Sequence, residues 1–261
     1  MEEQLLVCIR CALSAGRAAL EVYATDFAVV EKQDRSPLTE ADRRSHEIII
    51  AGLKPFDIPV LSEEGRETPY ARRREWKCLW VVDPLDGTKE FVKRNGEFTV
   101  NIARVCNGRP DMGIIFLPVP NLLYFSAEGF GAFRIECGSA QAGWDADVSS
   151  LMAAAQRLPL PRADDRPYTI VGSRSHSTPE LEAYVEEKRR VHDRLEFISA
   201  GSSLKFCLVA EGRADIYPRT GPTMEWDTAA GQAIAEQAGA AVRTFETREA
   251  LRYNKEQLQN P

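Results

Sequence analysis

The chain has 261 residues, 44% apolar and 28% charged, with a formal net charge of -6; that is enough for one large domain or two moderate ones around a real core. The acidic balance argues against a dedicated nucleic-acid binder, which needs surplus Lys and Arg to neutralise phosphates, and the one dense basic cluster, Arg72-Arg73-Arg74, reads as a solvated loop. The opening MEEQLLVCIR lacks the basic start and apolar stretch of a signal peptide, and no apolar run approaches the roughly 18 residues of a membrane helix.

In chain order, Leu5, Ile9, Ala12, Leu13, Gly16 and Leu20 recur at helical spacing over residues 4–23. A second helix is expected to start near Thr39, where Thr39-Glu40-Ala41-Asp42 resembles a capping box and Ile48, Ile49 and Leu53 supply a buried face. Ile58–Leu61 reads as a short strand and Leu79–Val82 as an apolar strand that ends on Asp83. Phe98–Val105, Met112–Leu117, Leu122–Ala127 and Phe130–Ile135 follow as strands divided by Gly, Asn and Pro turns. Residues 1–155 thus read as an α+β domain that carries the acidic loops described below, two helices against a mostly antiparallel sheet.

The segment 156–167 is rich in proline and charge and poor in periodicity, and the domain boundary is placed there. Residues 156–261 then alternate. Strand Tyr168–Gly172 precedes a helix from Thr178, with Pro179 at its first position and Glu180 and Glu182 in its first turn. Strand Glu196–Ala200, helix Ser203–Glu211, strand Ala214–Tyr217, helix Thr228–Ala238 and strand Ala241–Phe245 complete an α/β layer. Asn260-Pro261 is an odd place for a fold to end, which leaves a further strand open.

Cys8, Cys11, Cys78, Cys106, Cys137 and Cys207 are scattered, mostly in apolar runs, and are expected as free thiols in a reducing compartment. Cys8 and Cys11 have C-x-x-C spacing but lie in a helical pattern without a second pair, so they read as buried helix-face residues.

The chemistry concentrates in Trp80-Val81-Val82-Asp83-Pro84-Leu85-Asp86-Gly87-Thr88. An apolar strand delivers Asp83 to its end, and Pro84 and Gly87 force a turn that brings Asp83, Asp86 and the Leu85 carbonyl to one point. Such hard oxygens suit Mg²⁺. An Asp-Pro turn closed by an Asx hydrogen bond would use the same residues. Two more acidic clusters bear on the choice. Leu61-Ser62-Glu63-Glu64-Gly65 follows a short strand, and Glu225-Trp226-Asp227-Thr228 precedes a helix, with Asp227 at the N-cap.

Taken together, Leu61-Ser62-Glu63-Glu64, Asp83-Pro84-Leu85-Asp86-Gly87-Thr88 and Trp226-Asp227-Thr228-Ala229-Ala230-Gly231 resemble the inositol monophosphatase superfamily of metal-dependent sugar and nucleotide phosphatases. The resemblance runs from Val7 to about Asn260 and implies an α/β protein with layers α-β-α-β-α. Lys89-Glu90-Phe91, Lys93–Asn101, Ser173-Arg174-Ser175-His176 and Gly201–Gly212 are similar to the bacterial 3′(2′),5′-bisphosphate nucleotidase branch. That branch removes the 3′-phosphate of adenosine 3′,5′-bisphosphate (PAP) or its sulfated relative PAPS in sulfur assimilation. It works in the cytoplasm, with some members lying loosely on the inner membrane, and is sensitive to Li⁺ and Ca²⁺. An inositol monophosphate or fructose bisphosphate phosphatase stays open as the alternative, and a catalytically dead nucleotide or metal sensor as a third reading. Oligomeric state is not fixed by the sequence.

The resemblance further implies two or three Mg²⁺ ions. Glu63, Asp83 and the Leu85 carbonyl would hold one, and Asp83, Asp86 and Asp227 another, with Glu64 behind them or solvated. Asp42, Glu63 and Thr88 are the expected catalytic residues, Thr88 and Asp42 as a water-activating pair, although Asp42 equally fits capping at Thr39. Gly87, Thr88, Arg174, Ser175, His176, Ser202, Ser203, Lys205, Arg219 and Asp227 are the expected substrate contacts, Ser202 and Ser203 at a helix start that would otherwise simply be capped by them.

Overall fold

A computed structural model describes residues 1–31, 37–138, 147–173 and 178–261. Helix α1 (Glu2–Tyr23) leads to a small antiparallel hairpin, β1 (Val29–Glu31) and β2 (Pro37–Thr39). Helix α2 (Glu40–Leu53) follows, then β3 (Val60–Ser62) and the one-turn helix α3 (Tyr70–Arg73). Strand β4 (Cys78–Asp86) and helix α4 (Thr88–Val92) precede a meander of β5 (Thr99–Cys106), β6 (Arg109–Leu117), β7 (Leu122–Ala127) and β8 (Gly131–Glu136). Helix α5 (Val148–Ala154) and β9 (Gln156–Arg157) close that part. Beyond it lie β10 (Tyr168–Ser173), α6 (Pro179–Arg189), β11 (Leu195–Ala200), α7 (Leu204–Ala210) and α8 (Glu225–Gln237).

Strands β3 to β9 form one sheet in sequence order, parallel at β3–β4 and antiparallel elsewhere. Successive side chains along a strand face opposite ways, and the two faces separate cleanly here. Trp80, Val82, Val100, Ile102, Met112 and Ile114 pack with Leu5, Ile9, Ile49 and Leu53 of α1 and α2. Leu79, Val81, Ala103, Val105 and Ile115 pack instead with Cys207 of α7 and Ala229, Ala230 and Ile234 of α8. Helix α8 comes close because β6 offers Gly113, where a Cβ would sit 2.4 Å from the Ala230 carbonyl. The parallel pair β10–β11 packs Val171 and Ala200 on Leu208 of α7, while Ile170 meets Leu181 and Val185 of α6. The order of layers is therefore α1/α2, sheet, α7/α8, sheet, α6, the α-β-α-β-α architecture expected.

Several local expectations are corrected. Among the described residues, Ala214–Tyr217 contributes a single parallel bridge, Ile216 to Ile170, and Ala241–Phe245 a single bridge, Arg243 to Ala250. Helix α8 begins three residues earlier than expected: Met224 is its N-cap, and Asp227, inside the first turn, accepts a bond from Met224 N at 2.7 Å. Arg73 is buried rather than solvated. Its guanidinium donates to Asn254 Oδ1 (2.9 Å) and to the carbonyls of Lys255 (3.1 Å) and Glu256 (3.3 Å), and Asn254 Nδ2 returns a bond to the Arg73 carbonyl (2.8 Å). Cys78 and Cys106 are not free thiols: the β4–β5 ladder sets them directly opposite each other, and they are disulfide-bonded. Cys8, Cys11, Cys137 and Cys207 are free and buried, as expected of helix-face and core cysteines.

Candidate active site

In an unbroken strand, residues three apart face opposite ways, so Asp83 and Asp86 would point to different layers. They do not. Asp83 pairs with Asn101 but Asp86 pairs with Thr99, so β4 carries one extra residue between them. This bulge holds Pro84, a residue with no N–H to give the ladder. It turns Asp86 onto the face that Asp83 already shares with Thr99 and Asn101, the layer of α7 and α8. There Asp86 Oδ2 accepts from Ser203 Oγ at 2.7 Å and more weakly from Asn101 Nδ2 (3.4 Å) and Thr99 Oγ1 (3.5 Å).

Asp83 is 1% exposed, and its Oδ1 accepts the Leu85 N–H at 3.1 Å, so the Asx turn and the acidic cluster are the same residues. Burial, then the nearby charges of Glu63, Asp86 and Asp227, push its carboxyl well above the usual range, and a hydrogen bond with Glu63 adds to this. Glu63 is brought alongside by the bond from its N–H to the Val82 carbonyl at 3.1 Å. Asp227 arrives from the first turn of α8, and burial and Asp86 push it up to about 7 against the opposing help of the Met224 N–H and Arg219. The start of α8 is itself clamped. Glu225, fully buried, accepts from Asn254 N (2.7 Å), Lys255 N (2.9 Å) and Lys255 Nζ (2.7 Å), and Asn260 Nδ2 donates to the Met224 carbonyl (2.9 Å).

Asp42 makes the contacts that both of its expected roles call for. Its Oδ2 accepts from Thr39 N (2.7 Å) and Thr39 Oγ1 (2.6 Å), completing the capping box of α2, and its Oδ1 accepts from Thr88 Oγ1 at 3.2 Å. Thr88 opens α4 directly after Gly87, whose φ of 93° and near contacts (Glu97 carbonyl and Ser202 Cβ, each 3.2 Å from an added Cβ) admit only glycine.

On the α7 side, Ser203 does not cap its helix; the hydroxyl is turned to Asp86. Ser202 stands at φ 42°, and its buried Oγ has no hydrogen-bond partner among the described residues. Lys205 is buried, and burial brings its ammonium down to about 8. Its Nζ bonds the carbonyls of Ser202 (2.5 Å) and Ala200 (3.4 Å), so it holds the turn beneath Ser202. Arg219 donates to the Pro222 carbonyl at 3.1 Å, and its buried Nε has no partner among the described residues. A cavity of about 470 Å³ brings Asp86, Ser202, Lys205, Arg219 and Asp227 onto one wall, a size suited to a small ligand. Arg174, Ser175 and His176 lie outside the described residues.

Sequence reasoning assigned no separate role to Asn101 or Glu97. Asn101 is 1% exposed and donates to Ser203 Oγ at 2.7 Å. Glu97 Oε2 accepts the Gly201 N–H at 2.8 Å, tying the Gly87 turn to the start of α7. A polar residue in the middle of an apolar strand was the available signal for Asn101.

The donor set fits a hard divalent cation. Glu63, Asp83, Asp86 and Asp227 lie close enough for their charges to act on one another, Asp86 and Asp227 line the cavity, and each of Asp83, Asp86 and Asp227 has one oxygen held by the protein. Among the described residues no three Asp, Glu, His or Cys side chains are already closed to metal-ligand spacing. They meet as crowded like charges, a cost that a bound cation removes.

The pattern of the inositol monophosphatase family matches residues 1–258. The 3′(2′),5′-bisphosphate nucleotidase CysQ of Escherichia coli (strain K12) is 44% identical over 254 residues, covering 96% of this chain and 94% of that protein. The protein of the same name from Haemophilus influenzae is 31% identical over 96% of this chain and 87% of its own length. The crystal structure of CysQ from Bacteroides thetaiotaomicron, described as a bacterial member of the inositol monophosphatase family, is 50% identical with a TM-score of 0.92, covering 100% of this chain and 96% of that one. An inositol monophosphatase from Anabaena, 22% identical over 95% of this chain and 86% of its own with a TM-score of 0.67, shares the fold.

Proposed function

The chain belongs to the inositol monophosphatase family, and we infer that it is a 3′(2′),5′-bisphosphate nucleotidase. It is a magnesium-dependent phosphatase that takes the 3′-phosphate from PAP, or from PAPS, and leaves AMP or APS. The observation that carries the chemistry is the cluster of Glu63, Asp83, Asp86 and Asp227, whose charges act on one another, together with the Thr88–Asp42 pair, whose threonine follows Asp86 closely in the chain. The choice of a nucleotide rests on relatives named for that activity at 44% identity across 96% of the chain.

On this reading Glu63, Asp83 and the Leu85 carbonyl would hold one Mg²⁺, and Asp83, Asp86 and Asp227 a second. Bound magnesium would supply positive charge for the phosphate oxygens and acidify the attacking water. Thr88 gives its proton to Asp42, so its oxygen is left to accept a proton from the nucleophile, and Thr39 keeps Asp42 turned to that task. The backbone N–H groups of Gly87 and Thr88 face the departing phosphate. The unpartnered hydroxyl of Ser202 and the cation of Arg219 are available to the rest of the substrate, and Lys205 keeps the Ser202 turn in shape. We read the reaction as cytoplasmic, as in the resembled branch; among the described residues no helix is long and apolar enough to cross a membrane.

Phosphate release from PAP with and without Mg²⁺, with inositol 1-phosphate as comparator, tests the reading. Mg²⁺-dependent release that is faster from PAP supports it, and faster release from inositol 1-phosphate overturns the nucleotide assignment.

A further inference from the structure

We propose that Asn101, acting through Ser203, is a positioning residue that locks Asp86 in a one-oxygen binding pose for magnesium. The inference rests on the reading of Asp86 as a magnesium ligand.

Asn101 sits in the middle of β5, on the same face as Thr99, and is 1% exposed; Ser203 is 2% exposed. Their contact joins residues 102 apart in sequence at 2.7 Å. Direction follows from the donors available. Asn101 Nδ2 donates to Ser203 Oγ, so the one proton of Ser203 must go elsewhere. It has two acceptors in reach, Asp86 Oδ2 at 2.7 Å and the Asp227 carbonyl at 3.3 Å. The shorter, charge-assisted bond to the carboxylate wins.

The consequence lies in which oxygen is taken. Ser203, Asn101 and Thr99 all address Oδ2 of Asp86. Among the described residues Oδ1 accepts no hydrogen bond, so it is left for the cation. A carboxylate free to rotate would offer either oxygen, or both, to a large hydrated ion. One fixed by three donors presents a single oxygen, which suits the strict octahedral demand of Mg²⁺. Partners behind a ligand typically change metal affinity by ~10–100-fold when removed. The same hydroxyl touches the Asp227 carbonyl, so the relay also sets the spacing between β4 and the first turn of α8, the elements that carry the two ligands.

The test compares the full-length wild type with Asn101→Leu, Ser203→Ala, Ser203→Thr and Asp86→Asn. Mg²⁺ and Mn²⁺ binding without substrate is read by calorimetry, alongside far-UV circular dichroism. Asn101→Leu and Ser203→Ala are expected to weaken Mg²⁺ binding about 10-fold or more with the fold kept, and to narrow the preference for Mg²⁺ over Mn²⁺. Ser203→Thr, which keeps the hydroxyl, is expected to restore both. Wild-type Mg²⁺ affinity in Ser203→Ala overturns the proposal. If Asp86→Asn loses binding in the same experiment, the nucleotidase reading stands and only the relay fails. If Asp86→Asn also binds like wild type, the ligand assignment itself has failed and the relay with it. Should Asn101→Leu not fold, Ser203→Ala against Ser203→Thr decides alone.

Discussion

Asp86 pairs with Thr99, one residue short of the partner an unbroken register from the Asp83–Asn101 pair would give it. That single slip puts both aspartates in one layer. Asp83 is the more deeply buried, surrounded by Glu63, Asp86 and Asp227. Asp83→Asn is expected to abolish Mg²⁺-dependent phosphate release while the metal-free protein keeps its circular dichroism. A near-normal rate in a Mg²⁺ titration would show that the carboxylate at 83 is not a ligand.

Removing the metal should expose the charge crowding as a pH effect. Asp83 and Asp227 are raised in the folded protein, Asp227 from 3.8 to about 7. A raised carboxyl stabilises the fold below its unfolded pKa, and that stability is lost as pH rises through the folded value. In EDTA, Tm should therefore fall as pH rises from about 4 towards about 7 by this contribution. The Tm gained on adding Mg²⁺ should be small near the low end and largest above about 7. A Mg²⁺ gain that is flat across this range would contradict the assignment.

Thr88→Ala should lower kcat by ~10²–10⁴, the usual weight of a positioned proton acceptor, with Mg²⁺ binding intact. Thr88→Ser keeps the hydroxyl 3.2 Å from Asp42 and should recover most of the rate. Equal losses in both variants would point to packing of the methyl group rather than to proton transfer.

Gly87→Ala places a methyl group 3.2 Å from both the Glu97 carbonyl and Ser202 Cβ, at a φ of 93°. The strain should be roughly 1–3 kcal/mol, seen as a lower urea midpoint, and phosphate release should drop with it because the turn beside Thr88 moves. An unchanged midpoint would mean that the turn relaxes freely.

Glu225 is fully buried, and Lys255 Nζ meets it at 2.7 Å. Lys255→Met leaves that carboxylate without its cation and should cost about 3–5 kcal/mol in urea unfolding. Adding Glu225→Gln should return part of the loss, because an amide is cheaper to bury than a charge. A double variant no better than Lys255→Met would locate the loss in the lysine stem instead.

Much of this was legible in advance. Apolar runs divided by Gly, Asn and Pro turns named most strands of the large sheet, and the helical spacing of Leu5 and Ile9 named α1. The strand was expected to end on Asp83 with Pro84 forcing a turn; β4 instead runs on to Asp86 with Pro84 in a bulge, where a residue without an N–H is tolerated, and only the partner strand shows which way Asp86 turns. The start of α8 was misplaced because Asp227 fits an N-cap, whereas its side chain reaches back to Met224 N from inside the turn. Ala241–Phe245 has strand-like residues but, among the described residues, only a single bridge through Arg243, so the expected strand does not build a ladder. The Asn101–Ser203 contact could not be read at all, because it depends on how β5 and α7 meet across 102 positions. The pairing of Cys78 with Cys106 is of the same kind, set by strand register and not by spacing.

The clamp of Arg73 on Asn254, with Lys255 bonded to Glu225, has a consequence for how the enzyme is made. On the ribosome, Glu63, Asp83 and Asp86 emerge first, and a nascent chain that has reached only the large sheet exposes an acidic hollow with one wall missing. Helix α8 must dock to bring Asp227, and the strap that fastens its first turn, Asn254 and Lys255, follows the helix in the sequence. Until then the half-built hollow offers a cation fewer oxygens to grip, so tight magnesium binding is expected only once α8 and its strap have docked.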